Sequence, residues 1–245
     1  MGIELSQLIL VVVIICAAGF IQGFTGFGSG LLALPLLSFI LDIKLVVPLM
    51  SLVAVIIGAV LFYYNHTRLN YRLIGVLVLW ALIGVPIGTF LLTTLPTKPI
   101  ELMLAILLMI FAAYSFAGRP LHFLNGKLFG YLGGFLSGLL GSAAGVGGPP
   151  IILYASAQSW SAQEQKNLIA AFLFVTAIII ACAFALSGLL TETVRQYFAI
   201  SFIPLVIATL VGIKLFDMIH LKHQRQVMSS AIFLLGVLML IQVTV

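Results

Sequence analysis

Apolar runs long enough to cross a bilayer follow one another along nearly the whole chain. Hydrophobic residues make up 63% of its 245 residues and charged residues only 7%, against about 25% charged in a soluble domain. That much apolar surface has to face lipid. An ordinary soluble domain, a disordered chain and a nucleic-acid-binding module are thereby excluded. At about 20 residues per crossing, there is room for roughly eight to ten crossings and short loops. The fold class expected is an all-α polytopic membrane protein.

Single spans are predicted at residues 45–64, 73–95, 100–117, 168–190, 197–213 and 227–243. Two apolar stretches are too long for one straight helix. Residues 5–41 are interrupted by Gly23, Gly26, Gly28 and Gly30, and residues 128–157 by Gly138, Gly141, Gly145, Gly147, Gly148, Pro149 and Pro150. Glycine and proline both disfavour a continuous helix. Each stretch is therefore expected to form a broken helical hairpin or re-entrant element, with Pro35, Pro149 and Pro150 as hinge or helix-break residues. Residues 1–7 carry Glu4 and no Lys or Arg, so a cleavable signal peptide is not expected. Cys16 and Cys182 both lie in apolar runs and read as small core residues, with neither metal-ligand nor disulfide spacing.

The two broken stretches resemble each other. A shift of 115 positions places Gly19, Phe20, Gly23, Gly26, Gly30 and Pro35 on Gly134, Phe135, Gly138, Gly141, Gly145 and Pro150. Each stretch is then followed by three single spans. Two membrane repeats are expected, residues 1–118 and 119–245, within a single integral membrane domain. Charge decides how the second stretch crosses. If it enters and returns, one side receives Arg68, Arg72, Arg119, Lys127, Lys166, Lys214, Lys222 and Arg225, and the other only Lys44, Lys98 and Arg195. If it crosses once, the bias disappears. The excess of Lys and Arg in cytoplasmic loops favours the returning version. A returning element plus three spans shifts the side by an odd number, so the two repeats have inverted topology, with both termini outside. Broken helices in inverted repeats are characteristic of secondary transporters.

A break in lipid exposes N–H and C=O groups that protein or a water-filled cavity must satisfy. Helix N-termini directed into such a cavity offer free donors and partial positive charge, which suits an anion. The candidate substrate-binding residues are Gln22, Gly23, Thr25, Gly26, Gly28, Ser29 and Gly30 at the first break, and Ser137, Gly138, Gly141, Ser142, Gly145, Gly147 and Gly148 at the second. Glycines allow the backbone to approach a ligand; equally, they allow two helices to pack closely. Gln22 and Thr25 could as readily bond a neighbouring helix. Asn65, His66, Arg68 and the basic loop from Lys214 to Arg225 read as solvated, orienting loops. Tyr63, Tyr64, Tyr71 and Tyr197 read as interfacial aromatics. Lys166 and Asn167 read as an interfacial anchor or an exit lining.

No Asp, Glu, Lys, Arg or His falls at a predicted span centre, where proton-relay carboxylates usually sit. No protein proton carrier is therefore expected, and the sequence offers no metal-ligand spacing. All four histidines lie in predicted loops or at span ends, which leaves an intramembrane Ser protease without its base. An anion channel of the same fold stays open, because sequence does not separate a channel from a carrier.

The segment from Gly19 to Gly30, followed by Pro35, and the segment Gly138, Gly141, Gly145, Gly147, Gly148, Pro149, Pro150 resemble the two Gly-rich blocks of the TauE/SafE sulfite-exporter family. The resemblance implies a multi-pass permease of the bacterial or archaeal cytoplasmic (inner) membrane. Its implied substrate is a small sulfur-containing anion such as sulfite or an organosulfonate. It implies no cofactor. The partners are then the anion and the lipid bilayer, with monomer and homo-oligomer both open. Phe24 and Phe27 within the first block either face an organic substrate or pack.

Overall fold

The computed structural model describes residues 4–65, 70–117, 126–218 and 232–241, all helical or in short connections. His66, Arg68, Arg119, His122, His220, Lys222, His223 and Arg225 lie outside the described residues. The helices are α1 (Leu5–Thr25), α2 (Ser29–Ser38), α3 (Ile43–Asn65), α4 (Tyr71–Thr94), α5 (Thr97–Ala117), α6 (Lys127–Ala144), α7 (Gly148–Ala157), α8 (Ala162–Leu186) and α9 (Glu192–Met218). A further apolar helix, α10, covers Ile232–Ile241. Six helices are long and apolar enough to span a membrane: α1, α3, α4, α5, α8 and α9. The chain is therefore an all-helical, multi-pass membrane protein. Large apolar side chains face outward along these helices, among them Leu79, Ile83 and Phe90 on α4 and Ile203 and Ile207 on α9. Contiguous apolar surface of that kind needs lipid or a partner to cover it.

Both Gly-rich stretches are broken, but not into equal arms. α1 is a full-length helix of 21 residues followed by α2 of 10, and α6 has 18 residues followed by α7 of 10. The breaks are three residues each, Gly26–Phe27–Gly28 and Gly145–Val146–Gly147. Pro149 and Pro150 fall in the first turn of α7, where the absent N–H costs no intrahelical bond. Pro35, expected as a break residue, instead lies inside α2. α8 begins six residues before the apolar run that predicts it. Ser161 and Glu164 close a capping box, and that polar first turn is invisible to hydropathy.

Around the two breaks, four helix bounds lie 119 positions apart (25 to 144, 29 to 148, 38 to 157 and 43 to 162). The register read from glycine identities, 115, differs from this by one helical turn, and the difference has a physical origin. Gly19 and Gly23, like Gly134 and Gly138, are four residues apart on one helix face, so sliding by a turn still superimposes glycine on glycine.

The helices pair across the chain. α1 packs along α9, α6 along α4, and α3 along α8. Under the 119 offset, α1 with α9 exchanges with α6 with α4. Both outer pairs rest on missing side chains. A methyl group on Gly84 would strike Phe135 O, one on Gly134 would strike Leu77 O, and one on Gly138 would strike Ala81 O. In the other pair, Gly23 lies against Thr209 O and Gly212 against Phe20 O. Spacing of small residues by four lets membrane helices approach backbone to backbone. The main apolar core gathers Ile15, Leu34, Leu49, Ile57 and Leu104 from α1, α2, α3 and α5. A second cluster gathers Leu77, Ala81, Tyr154 and Phe172 from α4, α7 and α8. Tyr197, expected at the interface, is 2% exposed and belongs to the main core.

Candidate functional site

The geometry of the first break follows from two glycines. Gly26 caps α1 with φ 84 and Gly28 caps the start of α2 with φ 101, both in the left-handed region that other residues enter only at a cost of about 1–2 kcal/mol. Thr25 tightens the turn between them. Its hydroxyl donates to Ile21 O at 2.8 Å and accepts from Phe27 N–H at 3.3 Å. At the second break Gly145 caps α6 with φ 75. Gly147 has φ −83, open to any residue, but a Cβ there would lie 2.8 Å from Ser137 O. The first of these is a conformational requirement and the second a spatial one.

The two breaks touch. A Cβ on Gly30 would stand 3.1 Å from Gly145 O, and one on Gly145 would stand 2.7 Å from Leu34 Cδ2. Between them and the pair α3 and α8 is a cavity of about 100 Å³, several times what one water requires. Gln22, Gly28, Ser29 and Gly30 line it from the first break, and Gly141, Gly145, Gly147, Gly148 and Pro149 from the second. Among the described residues, no ionisable side chain lines it.

Its polar groups are concentrated on one side. Gln22 is 6% exposed and Ser29 4%, and the Ser29 hydroxyl donates to Gln22 Oε1. The first intrahelical bond of α2 runs from Leu32 N–H to Gly28 O at 3.3 Å. The N–H groups of Ser29, Gly30 and Leu31 precede that bond and have no partner within the helix; all three residues line the cavity. The corresponding turn of α7 is Gly148-Pro149-Pro150, where the two prolines supply no N–H.

Several candidate residues are elsewhere. Gly23 and Gly138 are spent on the helix crossings, against Thr209 O and Ala81 O. Ser142 is fully buried and its hydroxyl bonds Gly138 O at 2.8 Å and Val85 O at 3.0 Å, tying α6 to α4. Ser137 is fully buried beside the second break without a partner for its hydroxyl, and it does not line the cavity. Thr25 and Gly26 shape the first break from outside it. Phe24 packs, stacked on Phe20 at 6.2 Å. Phe27 lines the cavity and meets Phe111 of α5 edge-on at 6.5 Å.

A large part of the wall comes from positions that hydropathy does not mark. Val47, Met50, Ser51, Ala54 and Gly58 of α3 face Leu173, Phe174, Thr176, Ala177 and Ile180 of α8. Gly58 is a visible sign of it in the sequence, since a Cβ there would stand 3.0 Å from Phe174 Cα. Ser51 and Thr176 direct their hydroxyls to their own helices, to Pro48 O at 2.7 Å and Phe172 O at 2.8 Å.

A multi-pass bundle in which residues of two interrupted helices line one cavity, with no ionisable side chain among the described lining residues, has the form of a membrane permease for small solutes. The family model "Sulfite exporter TauE/SafE" matches residues 11–239, nearly the whole chain, and the protein belongs to that family. It is therefore a membrane permease of the sulfite and sulfur-compound type and not an enzyme, with a small anion as substrate and the bilayer as its surroundings. No curated protein and no solved structure matches it.

Proposed function

We propose that the protein is a secondary transporter. It binds a small sulfur-containing anion, sulfite or an organosulfonate, in the cavity between the two breaks and exposes it alternately to either side of the cytoplasmic membrane. The observation that carries this reading is the shared cavity: residues of both breaks line one space, the first turn of α2 among them. Oriented N–H donors and a helix N-terminus hold an oxyanion without a buried cation. The hydroxyl of Ser29 and the amide of Gln22 turn from each other to the ligand. Charge-assisted hydrogen bonds of this kind are worth about 1.5–3 kcal/mol each. The exchange of helix pairs under the 119 offset supports two repeats of inverted topology. The distribution of Lys and Arg in the sequence favours both termini outside.

The test is ligand-induced thermal stabilisation of the purified protein against sulfite, sulfate, thiosulfate, sulfoacetate, an aryl sulfonate, acetate and chloride. An anion at a hundred times its Kd stabilises the folded state by about 2.7 kcal/mol. A selective shift with a sulfur oxyanion, reduced in Ser29→Ala, is the expected result. The absence of any shift, or a shift indifferent to Ser29→Ala, would remove the site. Saturable counterflow in liposomes is expected of a carrier, and weakly saturating flux would make it a channel instead.

A further inference from the structure

The cavity is long in one direction. Along α3 its wall runs from Val47 through Ser51 and Ala54 to Gly58, positions that share one helix face and extend about 16 Å along the axis. Along α8 it runs from Phe174 through Ala177 to Ile180. The end of α3 meets the start of α8. Phe62 packs on the cluster that holds Leu168 and Phe172, whereas Ile43 and Phe184 belong to the main core. The cavity therefore has two distinct ends.

The two ends are closed differently. One turn outward from Val47 and from Ile180 stand Ile43 and Phe184, both 0% exposed. At the other end stands Phe174, which lines the cavity and is half-buried. A Cβ on Gly58 would lie 2.9 Å from Phe174 Cδ2 and 3.0 Å from its Cα and Cβ, so Phe174 occupies the space that the missing side chain leaves. One turn beyond Gly58, the ring of Phe62 meets that of Phe174 at 5.6 Å with the planes tilted by 32°. One turn before Phe174 the same face of α8 carries only the small Ala170, and a turn earlier Lys166, whose stem lies against Gly26. Dispersion contacts hold the Phe174 ring, so it can change rotamer without breaking a hydrogen bond.

We propose that Phe174 is the gate of the cavity on the side where α8 begins. Seated between Gly58 and Phe62 it occludes the cavity, and off that seat it admits the anion. The inference rests on the transport reading above and adds to it which end of the cavity opens and which side chain controls the opening. Alternating access needs a barrier on each side of the site. Here one barrier is fully buried core and the other is a ring on a glycine, and the ring is the barrier that yields first. A side chain that only packs would change stability and leave access to the cavity as it was.

Cysteine reactivity reads the gate without any flux. In a protein carrying Cys16→Ala and Cys182→Ala, Ser51→Cys places a thiol on the cavity wall. A membrane-impermeant methanethiosulfonate, applied to one face of the membrane at a time, should label it slowly. Labelling follows the population of the open state, so adding Phe174→Ala should speed it about tenfold from one face only. Phe174→Leu restores the bulk and should return the slow rate. Ser201→Cys, at a fully buried position of α9, should stay unreactive in Phe174→Ala, which guards against general loosening. Labelling of Ser51→Cys that is indifferent to Phe174→Ala, or that rises from both faces or together with Ser201→Cys, would overturn the gate and leave the transport reading intact. Labelling as expected in a protein that neither binds nor moves any anion of the panel would overturn the transport reading, and with it the gate as a step of transport.

Discussion

The two breaks share a Gly-x-Gly core yet differ in almost every side chain around it. The first carries Gln22, Thr25 and Ser29, three N–H groups at the start of α2, and a lysine stem across Gly26. At the same helical positions the second has Gly141, Ala144 and Gly148, followed by two prolines, and a leucine covers Gly145. At these positions one break carries hydrogen-bonding side chains and the other carries none larger than a methyl group. What the difference teaches is that similarity of backbone does not imply equal shares in recognition. The absence of a side chain on Gly30 lets α2 approach the carbonyl of Gly145.

The largest effect expected would test whether both breaks hang from equally rigid crossings. Leucine at Gly138 or at Gly23 drives a side chain into the backbone of Ala81 or Thr209. Overpacking ordinarily costs about 1–3 kcal/mol, and collision with backbone should exceed that. Both variants should lose the thermal transition in detergent altogether. Survival of one would show that the two crossings are unequal clamps.

A smaller effect would sharpen the contrast between the breaks. Gln22→Leu removes a buried amide at the cavity and should raise the apparent KM for the transported anion about tenfold to a hundredfold, by the 1.5–3 kcal/mol of a charge-assisted bond. Flux kinetics in liposomes measure it, and an unchanged KM would put recognition elsewhere. The smallest effect belongs to the second break. Ser142→Ala should lower stability by about 1 kcal/mol, the usual net worth of a hydrogen bond, and leave KM where it was. A changed KM in that variant would mean that the second break takes part in binding after all.

Hydropathy makes the fold class legible, because lipid leaves no alternative for runs of such length. The neighbourhoods of the breaks are legible too, from their glycines. Which glycine bends and which packs is not, since both uses demand the same missing Cβ. Gly23 and Gly138 pack, whereas Gly26, Gly28 and Gly145 bend. The repeated Gly-x-Gly at 26–28 and 145–147 marks the bends once the register is moved by a turn. The α3 and α8 walls are illegible for another reason. Apart from Ser51, Gly58 and Thr176, their lining residues are as apolar as the lipid-facing ones, and only helix pairing decides which face turns inward. Lys166 is visible as a charge near a span end, but its seat on Gly26 depends on a contact between residues far apart in the chain.

The crosswise pairing also constrains how the protein comes into being. α1 is synthesised well before its long partner α9, and α4 must wait for α6. Each early helix then resides in the bilayer with its glycine groove open until much later segments have been synthesised. Truncation after residue 118 would therefore yield a half whose outer helices lack their mates. Such a half is a natural client for membrane quality control, whatever its own sequence propensities.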